Sequence, residues 1–131
     1  MSVETHGGGL SAAEVLQRYK DEELPAFSGI DLIDVNQIGL FGEHPLDIAA
    51  ARGNVEEIYA LLRGGADANA AGEHGNTALH EAVSQGNLSA VKLLLEFGAR
   101  VDLCNEFGET APDIARARNR DDLLKVLESR G

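Results

Sequence analysis

The chain repeats itself every 33 residues, and that recurrence restricts its fold more than any other feature. Shifted back by one period, Leu79, Ala82, Gly86 and Asn87 fall on Leu46, Ala49, Gly53 and Asn54. Val91, Leu94, Gly98 and Ala99 fall on Ile58, Leu61, Gly65 and Ala66. Shifted forward, Thr77, Ala82, Val91 and Leu94 become Thr110, Ala115, Leu124 and Leu127. A fixed period of this size, held over three copies, marks a solenoid in which each unit touches only its neighbours.

Each unit reads as two short helices with two stops. Thr77 is a good N-cap, because its side-chain oxygen can accept from an unpaired backbone N–H near His80. Leu79, Ala82 and Val83 put an apolar stripe on the helix that follows. Gly86 and Asn87 break it with a turn that tolerates positive φ. Leu88, Val91, Leu94 and Leu95 then recur at three and four residues and form a second helix, which Gly98 ends in a left-handed conformation. Such a hairpin cannot bury both stripes alone, so it needs a neighbour on each side.

The run Gly75-x-Thr77-Ala78-Leu79-His80-x-Ala82, then Gly86-Asn87, Leu93-Leu94 and Gly98-Ala99, closely resembles the ankyrin repeat. The resemblance covers residues 34–66, 67–99 and 100–131. It implies an all-α solenoid of helix-turn-helix pairs joined by β-turn fingers at residues 34–43, 67–76 and 100–109. Asp34-Val35-Asn36, Asp67-Ala68-Asn69 and Arg100-Val101-Asp102 begin these fingers, and Gly42, Gly75 and Gly108 sit in register where each must turn back. The fingers enter the inner helices through His44/Asp47, Thr77/His80 and Thr110/Asp113, each spaced as a capping box. Pro45 and Pro112 fall in the first helical turn, where proline loses nothing. Pro112 holds the family's usual Leu position, a departure that bears on the last inner helix. Outer helices are expected near residues 55–63, 88–97 and 121–129.

Before the repeats, residues 1–9 read as a disordered tail. Ser11 caps a helix with Glu14 at the capping-box position and Val15, Leu16 and Tyr19 as its apolar face. Pro25 ends it near Glu22 or Leu24. Residues 10–33 lack the repeat pattern, and we read them as an N-terminal cap over the first repeat; a partner-binding arm is the rival reading.

Hydrophobic residues make up 44% of the chain and aromatic ones 5%, so the core must be Leu, Ala, Val and Ile between close helices. The formal net charge is −11. Residues 1–99 carry 15 acids and 5 bases, hence −10, and residues 100–131 carry 7 and 6, hence −1. No basic stripe for nucleic acid is present. An acidic surface suits a basic protein partner, and equally serves solubility. The single cysteine, Cys104, excludes an internal disulfide. No secretory leader and no membrane-length apolar run are visible, so a soluble cytoplasmic protein, monomeric when free, is the expectation.

Catalysis finds little support. Gly7-Gly8-Gly9 lacks the strand and the Lys-Ser or Lys-Thr of a phosphate loop. His44 with Asp47 could be an acid–base pair, but their register is that of a helix cap. The resemblance makes His80 structural. A metal or enzymatic site would have to use His74 and Cys104, too few ligands for zinc. No cofactor is expected. By register, the resemblance implies protein binding through finger tips and the exposed side of the inner helices. The first finger and its helix offer Leu40, Phe41, Glu43, Ala51 and Arg52; the second, Glu73, His74, Asn76, Ser84 and Gln85; the third, Glu106, Phe107, Glu109, Ala117 and Arg118. Leu40, Phe41 and Phe107 are the expected anchors unless the two phenylalanines fold back onto the fingers. Such a protein would act as an adaptor or an inhibitor, a toxin-neutralising protein among them.

Overall fold

A computed structural model describes residues 9–130; the expected tail lies, apart from Gly9, outside the described residues. Seven α-helices and no strand occur among them. They are α1 (Ala12–Asp21), α2 (Pro45–Ala51), α3 (Val55–Arg63), α4 (Ala78–Gln85), α5 (Leu88–Glu96), α6 (Ala111–Ala117) and α7 (Asp121–Arg130). Two rows result. The inner row stacks α2, α4 and α6, and the outer row stacks α1, α3, α5 and α7. The cap helix therefore extends the outer row.

Local chemistry accounts for α1, α4 and α6. Ser11 accepts from the Glu14 N–H at 3.1 Å while Glu14 accepts from the Ser11 N–H at 2.8 Å, and Val15, Leu16 and Tyr19 are buried. After Glu22 the chain leaves the helix through Glu23, at φ +53°, and a 3₁₀ turn at Pro25–Phe27 buries Ala26 and Phe27. Thr77 and Thr110 cap α4 and α6 reciprocally with His80 and Asp113. Pro112 does not prevent α6, since it sits in the first turn, where its missing N–H has no helical partner to lose.

The inner helices approach closely because alanines line their contacts: Ala49, Ala82 and Ala115 are fully buried. Leu46, Leu61, Leu79, Leu94 and Leu127 fill the strip between the rows. The Asp-x-Asn junctions have a specific job. Asn36 donates to Gly65 O at 3.1 Å and accepts from the Asp67 N–H at 2.8 Å. Asn69 repeats both bonds, at 3.1 and 2.8 Å, with Gly98 and Arg100. Each of these asparagines thus ties one unit to the next. Between paired helices, Gly53 and Gly86 are left-handed at φ +66° and +72°, and Asn119 takes the third such place at +57°. Asparagine tolerates that region better than most residues.

His44 stands where the other inner helices have threonine. Asp47 accepts from the His44 N–H at 2.8 Å and lies 3.1 Å from Nδ1. That side-chain hydrogen bond raises the histidine pKa above its usual 6.5, against an opposing effect of burial. A raised folded-state pKa means the protonated form favours folding. The contribution is fully present below about pH 6.5 and lost as pH rises through the folded-state value. Melting temperatures measured across this window should fall with rising pH in the wild type, and that fall should flatten in His44→Thr. An equal slope in both proteins would show that His44 is not the group responsible.

Candidate protein-binding surface

The finger tips are closed by one recurring main-chain bond. Gly39, Gly72 and Asn105 donate to the carbonyls of Glu43, Asn76 and Glu109 at 2.7, 2.8 and 2.9 Å. Gly42, Gly75 and Gly108 lie within these turns at φ +90°, +75° and +78°, the left-handed region a side chain resists. Successive segments are chained as well: Leu40 donates to Ala26 O at 2.7 Å and Glu106 to His74 O at 3.0 Å. The third finger is held to the inner row by His80. Its Nδ1 accepts from the Thr77 N–H at 3.0 Å, which puts the proton on Nε2, 2.9 Å from Glu109 O.

Two buried side chains set the tips that carry aromatic residues. Glu43 Oε1 accepts from the Phe41 N–H at 2.9 Å. Asn105 Oδ1 accepts from the N–H groups of Phe107 and Glu109, each at 2.9 Å. The phenylalanines do not fold back. Phe41 is 56% exposed, Leu40 56% and Phe107 70%, with the Phe107 ring centroid 6.0 Å from that of His74.

The remaining expected residues divide. Glu73, His74, Gln85, Glu106, Glu109 and Arg118 are exposed, and Asn76 and Ser84 are half-buried. Asn76 and Glu109 also accept from the Asn105 side-chain amide, at 2.9 and 3.0 Å. Two of the expected residues are engaged within the chain. Glu43 is only 9% exposed, because its carboxylate is spent on the Phe41 turn, so it offers little to a partner. Arg52 turns toward the cap, pairing with Glu22 and Glu57 and lying over the Tyr19 ring at 5.2 Å. Arg118, in contrast, has no side-chain partner among the described residues. It shares an open cavity of about 280 Å³ with Ser84, Gln85 and Arg120.

Glu81 was missed. Burial raises its pKa first, and the nearby carboxylates of Asp47 and Glu73 raise it further, with His74 opposing. Glu81 is half-buried on α4 and Glu73 is exposed on the second finger, whereas Asp47 is buried against His44. The signal lay in the register, since the matching positions are Ile48 and Ile114.

No group of three or more His, Cys, Asp or Glu side chains positioned to hold a metal occurs among the described residues. The exposed Cys104 and the His74 beside Glu73 and Phe107 belong to no such group. No helix of the described residues is long and apolar enough to cross a membrane.

No curated protein matches the chain. A family model of ankyrin repeats matches three copies, on residues 12–105 and 46–131. Such repeats are generally protein–protein interaction modules and typically non-catalytic. The recurring caps and Asp-x-Asn ties are the physical counterpart of that match: the chain belongs to the ankyrin-repeat family.

Proposed function

We propose that this protein is a non-catalytic binding module that holds a partner protein on its fingers and the exposed side of its inner helices. The observation that carries this reading is the pair of stiffened tips at which Leu40, Phe41 and Phe107 stand more than half exposed on an acidic rim. A backbone fixed by such bonds has less freedom to lose on binding, and apolar and aromatic residues concentrate interface energy. The half-buried Glu81 and the exposed Glu73 near it favour a partner that brings positive charge, since a cation there relieves their repulsion. The module recruits its partner as an adaptor or blocks it as an inhibitor; neutralising a toxin is one form of the latter.

Site-specific photocrosslinking tests the surface. Benzoylphenylalanine placed at Glu73 or Gln85 should give the same covalent adduct in cells, while placement at Ser89 or Glu96 of the outer row should give none. Adducts from the outer positions alone would overturn this reading.

A further inference from the structure

The end units of a solenoid ordinarily turn polar side chains outward. The last helix does so with Asp121, Asp122, Lys125 and Glu128, all exposed. The first finger, with Ile33 leading into it, does not. Ile33, Ile38, Leu40 and Phe41 are 73%, 60%, 56% and 56% exposed, and Phe107 is the one other large hydrophobic residue so exposed among the described residues.

The finger fold does not demand this. One and two periods on, Ile38 becomes Ala71 and Cys104, and Leu40 becomes Glu73 and Glu106. Nor does the cap cover these residues: it takes the Leu40 N–H through Ala26 O and leaves the side chain out. The segment is also stiff. Gln37 accepts from the N–H groups of Ile33 and Asp34 at 2.9 and 3.2 Å and donates to Asp31 O at 2.9 Å. Glu43 fixes the tip from the other side.

The surrounding charge is mostly negative, Lys20 being paired with Asp31 at 3.4 Å. Residues 21–51 contain seven acids and residues 64–91 contain three, and neither stretch contains a lysine or arginine. The whole of the first two fingers lies within these stretches. A second copy of this chain is a poor occupant, because a two-fold contact places the same acids opposite one another. Nucleic acid and anionic lipid meet the same repulsion.

We propose that the first finger, with the segment leading into it, docks an amphipathic segment of a partner protein that presents apolar anchors flanked by Lys or Arg. This rests on the reading that the fingers bind protein, and it places the principal contact at the N-terminal end of the array rather than its middle.

A random-peptide display library selected against the full chain tests it. The enriched peptides should carry apolar residues flanked by Lys or Arg and weaken as salt is raised. Leu40→Ser/Phe41→Ser should weaken them about tenfold or more, as loss of an anchor does, while Phe107→Ser leaves them nearly unchanged. Both positions are exposed, so the fold should persist, and circular dichroism checks that. Amide shifts in the wild-type protein give a readout independent of any variant, and they should concentrate at Ile38, Leu40, Phe41 and Gly42. Peptides lost on Phe107→Ser or Gln85→Ala but kept by the double variant would overturn this inference and leave the wider binding surface standing. Peptides indifferent to all three changes, or no enrichment, would count against both. Sedimentation showing a dimer that the double variant dissociates would make a second copy the occupant and overturn the proposal.

Discussion

Replacing Leu79 by alanine should destabilise the protein by about 2–5 kcal/mol, the range of large-to-small changes in a packed core. Leu79 is 1% exposed and lies on α4, which packs against α2 on one side and α6 on the other. A cavity here loosens two inter-repeat contacts at once, and those contacts hold a one-dimensional array together. Urea denaturation of Leu79→Ala beside the wild type measures the loss. A change within a few tenths of a kcal/mol would place Leu79 outside the inter-repeat core.

The second large effect is expected at the cap. Tyr19 is fully buried, and its hydroxyl donates to Glu57 at 2.7 Å. Glu57, 2% exposed, also meets Arg18 at 3.2 Å and Arg52 at 3.5 Å. Burial, then Glu57 itself, raises the Tyr19 pKa, so the hydroxyl stays protonated and remains a donor. Tyr19→Ala should cost about 3–5 kcal/mol, since it removes a large buried ring as well as a hydrogen bond. Tyr19→Phe keeps the ring and should cost about 1–3 kcal/mol, the penalty for depriving a buried charged acceptor of its donor. Thermal melts of the two variants separate packing from hydrogen bonding. A Tyr19→Ala protein as stable as the wild type would show that α1 is not integral to the array.

The same network marks where sequence reasoning stopped. The helices, their caps and the left-handed turns were legible because each depends on residues close in sequence, and a 33-residue period repeated the evidence. Residues 10–33 have no repeat partner, so nothing in the sequence placed α1 in the outer row. Glu57 is matched by Ala90 and Leu123, and its burial becomes intelligible only once Tyr19 and Arg18 lie over it. Register puts Arg52 on the binding surface without showing its pairing, because its partner Glu22 lies 30 residues away in a segment without register.

At the fingers, register supplied the positions but not the direction of each side chain. Glu43 points inward because the Phe41 N–H needs an acceptor, and that same bond keeps the Phe41 tip stiff. Asn105 and Glu81 could have been found as departures from the period. Asn105 stands where the other fingers have Gly39 and Gly72, and it now fastens the third tip. Glu81 replaces an isoleucine and adds a half-buried charge to the inner-helix surface.

The most direct test of the binding surface is affinity capture from source-cell lysate with wild type and Phe41→Ala/Phe107→Ala side by side, both first shown to be folded by circular dichroism. The captured protein is then purified and titrated against each. The expected result is one partner that binds the wild type directly and loses its affinity for the double variant. A partner bound equally by both would move the site to the cap or the outer row and contradict it.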